Sequence, residues 1–298
     1  MKTFVVLLFT ALSLGAQTKP LQAALDATVA ATFEKYSTLK QDELAITAID
    51  LKEHGHPMTA NYRGDARIYP ASVIKLFYLE AAHRWMEEGK LKDGAELRRA
   101  MKDMIVLSYN EATHYVLDVL TDTTSGPELS AAEMEKWGEK RNAVNRYFVS
   151  RGYTNINANQ KPWCEGPYGR DRIFVGENYT NRNALTTDAT ARLLMEIATE
   201  QAVSPPRCKQ MLELLSRDPL PKKDDEESQV KGFTGAGLPA GAKLWSKAGW
   251  TSNTRHDAAL IELPSGKKLI LVTFTLNHGA DETLIPFVAK TFLSRFEQ

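Results

Sequence analysis

Residues 69–78 read YPASVIKLFY, with Ser72 and Lys75 three apart inside an otherwise apolar run. Pro70 and Ala71 precede the serine and a helical pattern follows it, so the pair sits at a helix N-terminus. Backbone N–H groups and the helix macrodipole favour developing negative charge there. Three residues is nearly one turn, which brings Lys75 back to the face carrying Ser72. An ammonium group in apolar surroundings loses proton affinity and becomes able to activate a neighbouring hydroxyl. The spacing alone says little, because a chain this long yields on the order of one S-x-x-K match by chance. An isolated match is most simply a helix-capping serine and a snorkelling lysine.

The sequence on either side sets the frame. Residues 22–36 have the pattern of an alanine-rich amphipathic helix, and ELAITAIDLKE (43–53) alternates like a half-buried strand. HGHP (54–57) supplies a turn, and MTANYRGDARIY follows as a second strand. From Ser72 to about Leu220 the segments are helical in spacing: LFYLEAAHRWMEEG, AELRRAMKDMIVLS, EATHYVLDVLTD, AAEMEKWGEKRNAVNRYFVSRG and TTDATARLLMEIATE. A long polar loop rich in Gly, Asn and Pro interrupts them over about residues 155–183, and loops of that length in compact domains are usually functional. KKDDEE (222–227) is a solvated surface segment. Strand character returns in AKLWSKAGW, DAALIELPSG and KKLILVTFTLN, and DETLIPFVAKTFLSRF closes as a helix. The expected fold is α+β. An antiparallel sheet is built from both chain ends (17–68 and 232–298) with flanking helices, and a central all-helical domain spans 69–231. A cleft is expected between the two.

Composition excludes some classes of function. Lys+Arg and Asp+Glu are both 37, so nothing points to nucleic acid or to an anionic membrane surface. Residues 1–16 read as a secretory signal peptide, a lysine followed by a short apolar run, with cleavage after Ala16. No second long apolar stretch follows, so we expect a secreted or periplasmic protein with no membrane association after cleavage. In an oxidising compartment the two cysteines, Cys164 and Cys208, either pair or stay free and buried. His54 and His56 lie in an exposed turn without other ligands nearby, which makes a metal site the poorer reading. No nucleotide loop, metal cluster or cofactor motif stands out, and no cofactor is expected.

Two more short motifs bear on the serine. Ser108-Tyr109-Asn110 forms S-x-N between two helical segments, and Lys247-Ala248-Gly249 forms K-x-G in a late strand. The order S-x-x-K, S-x-N, K-x-G is that of penicillin-recognising serine enzymes. From about residue 43 to the C-terminus the chain resembles class A β-lactamases. LSYNEATHYVLDVL is similar to their S-D-N helix and LTTDATARLL to the helix after their Ω-loop. GLPAGAKLWSKAG and DAALIELPSGKKLILVTFT resemble their K-T-G strand and the hairpin after it.

The resemblance implies roles residue by residue. Ser72 is the acylated nucleophile and Lys75 its proton partner. Ser108 passes a proton toward the leaving nitrogen, and Asn110 binds the substrate amide. Lys247 lies near Ser108 and stabilises a substrate carboxylate, with Arg255 a further candidate for that carboxylate. The backbone N–H groups of Ser72 and Trp250, the latter just after Gly249, form the oxyanion hole. The chain also departs from the family. Tyr109 replaces the S-D-N aspartate, Ala248 replaces the K-T-G threonine, and Trp250 puts a large ring beside the oxyanion hole. The family's E-x-x-L-N is absent from the long loop, which leaves Glu165 in PWCEGP, and after it Glu177 in VGENYT, to activate the deacylating water. The implied function is that of an exported monomeric serine hydrolase acting through an acyl-enzyme on a small molecule, a β-lactam or a peptidoglycan-like peptide, with antibiotic resistance as the consequence. A D-alanyl-D-alanine peptidase or esterase on the same fold, and a binding protein without turnover, are the alternatives.

Overall fold

The computed structural model describes residues 19–51, 56–163, 166–220 and 229–296. Residues 1–16, where a signal peptide is expected, His54 and Gly55 of the HGHP turn, Cys164, Glu165 and the KKDDEE run lie outside the described residues.

The two alternating segments furthest apart in the chain become neighbours. Strand β1 (Leu44–Leu51) pairs antiparallel with strand β6 (Lys268–Leu276), Leu44 opposite Thr275 and Leu51 opposite Lys268. Strands β2 (Met58–Tyr62), β3 (Ser216–Arg217), β4 (Lys243–Trp250) and β5 (Thr254–Glu262) complete a six-stranded antiparallel sheet in the order β2-β1-β6-β5-β4-β3. Side chains alternate between sheet faces, and each face has its own core. On one, helices α1 (Lys19–Lys35) and α10 (Leu284–Leu293) pack Leu25, Val288 and Phe292 with Ile46, Ala48, Ala248 and Leu271. On the other, Ala45, Ile49, Ala258, Leu260, Val272 and Phe274 meet the remaining helices. The fold is therefore α+β, the helices of the two chain ends on one face and the central helices on the other.

The central helices are α2 (Lys75–Glu87), α3 (Ala95–Lys102), α4 (Asn110–Thr121), α5 (Ala131–Arg141), α6 (Ala143–Ser150), α7 (Gly169–Val175), α8 (Thr187–Ala198) and α9 (Pro205–Leu215). Helix α2 is the most enclosed, with every residue from Lys75 to His83 buried.

The sequence reading differs from the structure in three details. The strand expected over MTANYRGDARIY stops at Tyr62. Arg63 turns to φ +52 and Gly64 passes so close to the Asp188 carboxylate that a Cβ would sit 2.1 Å from it. The helix expected over AAEMEKWGEKRNAVNRYFVSRG is two helices. Asn142 leaves helical geometry, and its side-chain oxygen accepts from the amides of Asn145 and Asn159. The sheet also takes Ser216 and Arg217 as an edge strand from a stretch that reads as helical.

Candidate active site

Ser72 lies in a 3-10 turn, Ala71–Ile74, which runs directly into α2. Ala71 is forced to φ +45, a left-handed conformation that disfavours a Cβ and typically costs about 1–3 kcal/mol. The turn is held from behind by His256. Thr275 N–H donates to His256 Nδ1 (3.1 Å), so Nε2 carries the proton and donates to the Tyr69 carbonyl (2.9 Å). Complete burial lowers the His256 pKa to about 4, so the ring is neutral and this tautomer persists at neutral pH.

Strand β4 closes on the same turn. Gly249 stands where an added Cβ would meet Pro70 O, Ser72 N and Val73 N, each at 2.8 Å. Only a glycine lets this backbone lie directly against the amide of the nucleophile candidate.

The second motif enters through an irregular turn. Helix α3 ends in a π-helical turn, Asp103–Leu107, and Ser108 caps it with φ +58 and ψ +28. A π turn of this kind is frequent at functional sites. It brings Ser108 back over α2, where Lys75 Nζ donates to Ser108 O (2.5 Å), Asn110 Oδ1 (2.8 Å) and Ser108 Oγ (3.3 Å). Lys247 Nζ donates to the same Ser108 Oγ (3.0 Å). One hydroxyl therefore sits between two buried ammonium groups, one from the helical side and one from the sheet.

Lys247 also donates to Gln229 Oε1 (2.5 Å) and to the Ala248 carbonyl (2.8 Å). All three partners are neutral oxygens. Burial first, then the Lys75 and Arg217 cations, hold the Lys247 pKa well below the usual lysine range. Burial likewise lowers Arg217 to about 10. Gln229 was not legible as a site residue, yet it joins both halves of the site. Its Oε1 also accepts from Ala248 N–H (3.2 Å), and its Nε2 donates to the carbonyls of Ile105 (3.0 Å) and Val106 (2.9 Å) in the π turn. His256 was missed as well, since a histidine inside a strand pattern reads as core.

Ser72, Ser108, Asn110 and Trp250 line one cleft of about 340 Å³ together with Leu107, Tyr109 and Glu111. Lys75 and Lys247 reach it through the Ser108 hydroxyl, and Gly249 lies against the Ser72 turn. Glu111, passed over in the sequence, is the carboxylate among the described lining residues. Arg255 lies elsewhere. It pairs with Trp250 across β4–β5, which puts it on the sheet face opposite Lys247, where it donates to Gly279 O (3.1 Å) and sits 3.7 Å from Glu282. Glu177 is exposed and lines a separate cavity of about 1010 Å³ with Glu128, Arg172 and Tyr179.

The long loop that contains Glu165 is fastened on both sides of it. Asn157 pairs with Ala184 backbone to backbone, and Asn183 and Gln160 exchange hydrogen bonds beneath Tyr78 OH. His114 of α4 lies 2.6 Å from Pro162 O. Lys161 and Arg141 both pair with Asp118, and Arg141 reaches Asp171 of α7 at 3.4 Å. Cys208 is a free, buried thiol whose pKa burial raises. Among the described residues no group of three or more His, Cys, Asp or Glu is placed to hold a metal ion, and no helix is long and apolar enough to cross a membrane.

The model of a family described as the beta-lactamase enzyme family matches residues 24–295. No curated protein matches the chain. Among solved structures, a β-lactamase from Sphaerobacter thermophilus superposes with a TM-score of 0.64 at 20% identity, covering 91% of this chain and 96% of that one. A point mutant of PBP-A, an acyl-enzyme complex with penicillin G, gives 0.64 at 17% identity, covering 95% and 97%. The TLA-3 extended-spectrum β-lactamase gives 0.66 at 14% identity, covering 94% and 100%. Identities this low establish a shared fold.

Proposed function

The chain belongs to the beta-lactamase enzyme family, and from that premise we propose that it is an exported serine hydrolase that opens β-lactam amides through an acyl-enzyme on Ser72. The observation that carries this reading is the Ser108 hydroxyl, 3.3 Å from the Lys75 ammonium and 3.0 Å from the Lys247 ammonium, in the cleft that Ser72 lines.

In this reading Lys75 first gives up one of its N–H protons to solvent and, as the free amine, takes the Ser72 proton as Ser72 Oγ attacks the carbonyl carbon. The oxyanion is held by the backbone N–H groups of Ser72 and Trp250, a role supported by Gly249 lying against the Ser72 amide. The proton passes from Lys75 through Ser108 Oγ to the leaving nitrogen as the C–N bond breaks, leaving an ester on Ser72. Asn110 holds the substrate amide and also accepts from Lys75, which couples substrate position to the base. Lys247 binds the substrate's anionic group. Its three hydrogen-bond partners are neutral oxygens, so a bound anion adds to the attraction of the buried Asp257 carboxyl. Water then attacks the ester, activated by a loop carboxylate, for which Glu165 is our first candidate.

The test is turnover of a chromogenic cephalosporin. The purified protein should open many equivalents, and Ser72→Ala should open none. A protein that opens no more than one equivalent is a penicillin-binding relative without efficient deacylation. Turnover retained in Ser72→Ala refutes the assignment.

A further inference from the structure

Three of the nine large hydrophobic side chains exposed among the described residues converge on the Ser72 cleft: Leu107 (40% exposed), Tyr109 (44%) and Trp250 (41%). Exposed apolar surface clustered at a concave site usually marks where a ligand binds. Two of the three stand at the middle of S-x-N and directly after K-x-G, so the motifs that carry the polar chemistry also carry the apolar walls.

The walls are built to stay in place. Trp250 is the last residue of β4, and its ring leans on Phe233 at 5.5 Å between centroids. Phe233 in turn carries the Arg255 guanidinium at 4.8 Å from its ring. This stack accounts for Arg255, which lies on the sheet face away from Lys247: it braces the aromatic wall. Tyr109 is fixed by its backbone. It follows left-handed Ser108 and forms the N-cap of α4 with φ −67 and ψ 133. Its carbonyl accepts from Thr113 Oγ1 (2.7 Å). Ser108 is thereby committed to the two ammonium groups while Tyr109 faces the cleft.

We propose that the Trp250, Tyr109 and Leu107 walls form a subsite for a flat aryl group carried on the substrate's side-chain amide, so that the preferred substrates bear an arylacyl side chain together with a carboxylate. The proposal deepens the serine-hydrolase reading and rests on it. An aryl ring matches aromatic walls in shape and in its preference for offset or edge contacts. A methyl-sized group, as in a peptide ending in D-alanine, leaves the same walls in water.

Binding separates this claim from catalysis. Calorimetry on Ser72→Ala protein compares N-phenylacetylglycine with N-acetylglycine, which share the amide and the carboxylate. The phenyl compound should bind tighter by about tenfold or more, given the apolar area it removes from water. Adding Trp250→Ala or Tyr109→Ala to that background should bring the ratio toward one, whereas Trp250→Phe should keep most of it. A ratio below about two, or one that neither alanine variant changes, overturns the proposal. Should one alanine variant fail to fold by circular dichroism, the other decides. Incubating the unsubstituted protein with a phenylacetyl penicillin tests the parent reading. No adduct on Ser72 with the binding ratio intact removes the hydrolase reading and upholds the subsite. An adduct that forms equally fast with phenylacetyl and acetyl side chains overturns the subsite and upholds the hydrolase.

Discussion

Gly249→Ala should slow acylation of Ser72 strongly while leaving the fold in place. The added Cβ would lie 2.8 Å from Pro70 O, Ser72 N and Val73 N. Ordinary carbon contacts lie at roughly 3.5–4.0 Å, so β4 and the nucleophile turn must separate by about 0.7 Å or more. All three atoms are backbone, and Val73 and Ile74 beyond them are fully buried, so no flexible side chain can yield instead. The displacement falls between Ser72 and the strand that ends in Trp250, where the oxyanion would be held. A misplacement of about 1 Å can cost on the order of 100-fold in rate. We expect a loss of about 30- to 100-fold, equivalent to about 2–3 kcal/mol of barrier. Stopped-flow measurement of acylation by a β-lactam reads the rate, and circular dichroism with a thermal melt confirms the fold. A folded Gly249→Ala protein that acylates within about threefold of the parent would show that the close approach plays no part in the chemistry.

Gln229→Leu strips four hydrogen bonds from Lys247, Ala248 N and the π turn, and buried groups left unpaired typically cost about 1–3 kcal/mol each. Acylation by carboxylate-bearing substrates should fall further than acylation by neutral esters, and Gln229→Glu, which supplies Lys247 with an internal counter-ion, should produce the same bias; equal losses for both substrate types would discount the clamp. Glu165→Gln should acylate normally and accumulate the adduct, while Glu177→Gln should turn over, as expected for a residue in a different cavity; if Glu111→Gln is the variant that traps the adduct, the base lies on α4. His256 has its folded pKa lowered from its ordinary 6.5 to about 4, so the unfolded chain binds more protons between those values. Its contribution to stability is present above pH 6.5 and is lost as pH falls toward 4, by about 3 kcal/mol in all. In urea melts across that window, His256→Gln should flatten the pH slope, and an unchanged slope would count against the neutral, buried ring.

Much of the frame was legible because it rests on local pattern. The alternation in Leu44–Leu51 and Lys268–Leu276 reappears as the paired strands β1 and β6, and the S-x-x-K stretch opens α2 as its spacing implies. What stayed hidden depends on contacts between distant residues. Nothing near Gln229 in sequence announces that it will meet Lys247 and the π turn together. Ala71 is left-handed in the turn against which Gly249 of β4 lies, and alanine carries no signal for it. The face of Arg255 was open to inference. Counting by twos from Lys247 puts Trp250 on the other side, and the short turn before Thr254 pairs Arg255 with Trp250. Glu165, on which deacylation turns in our reading, lies outside the described residues.

A covalent bond between Ser72 and the substrate carbonyl is the step on which hydrolysis by this site depends. Rapid quenching of the protein with a labelled penicillin, followed by proteolysis and mass spectrometry, locates any adduct. We predict one penicilloyl group per chain, on the peptide containing Ser72, absent from Ser72→Ala and slowed in Lys75→Ala. Label on any other residue, or none within the time in which the β-lactam disappears, would contradict it.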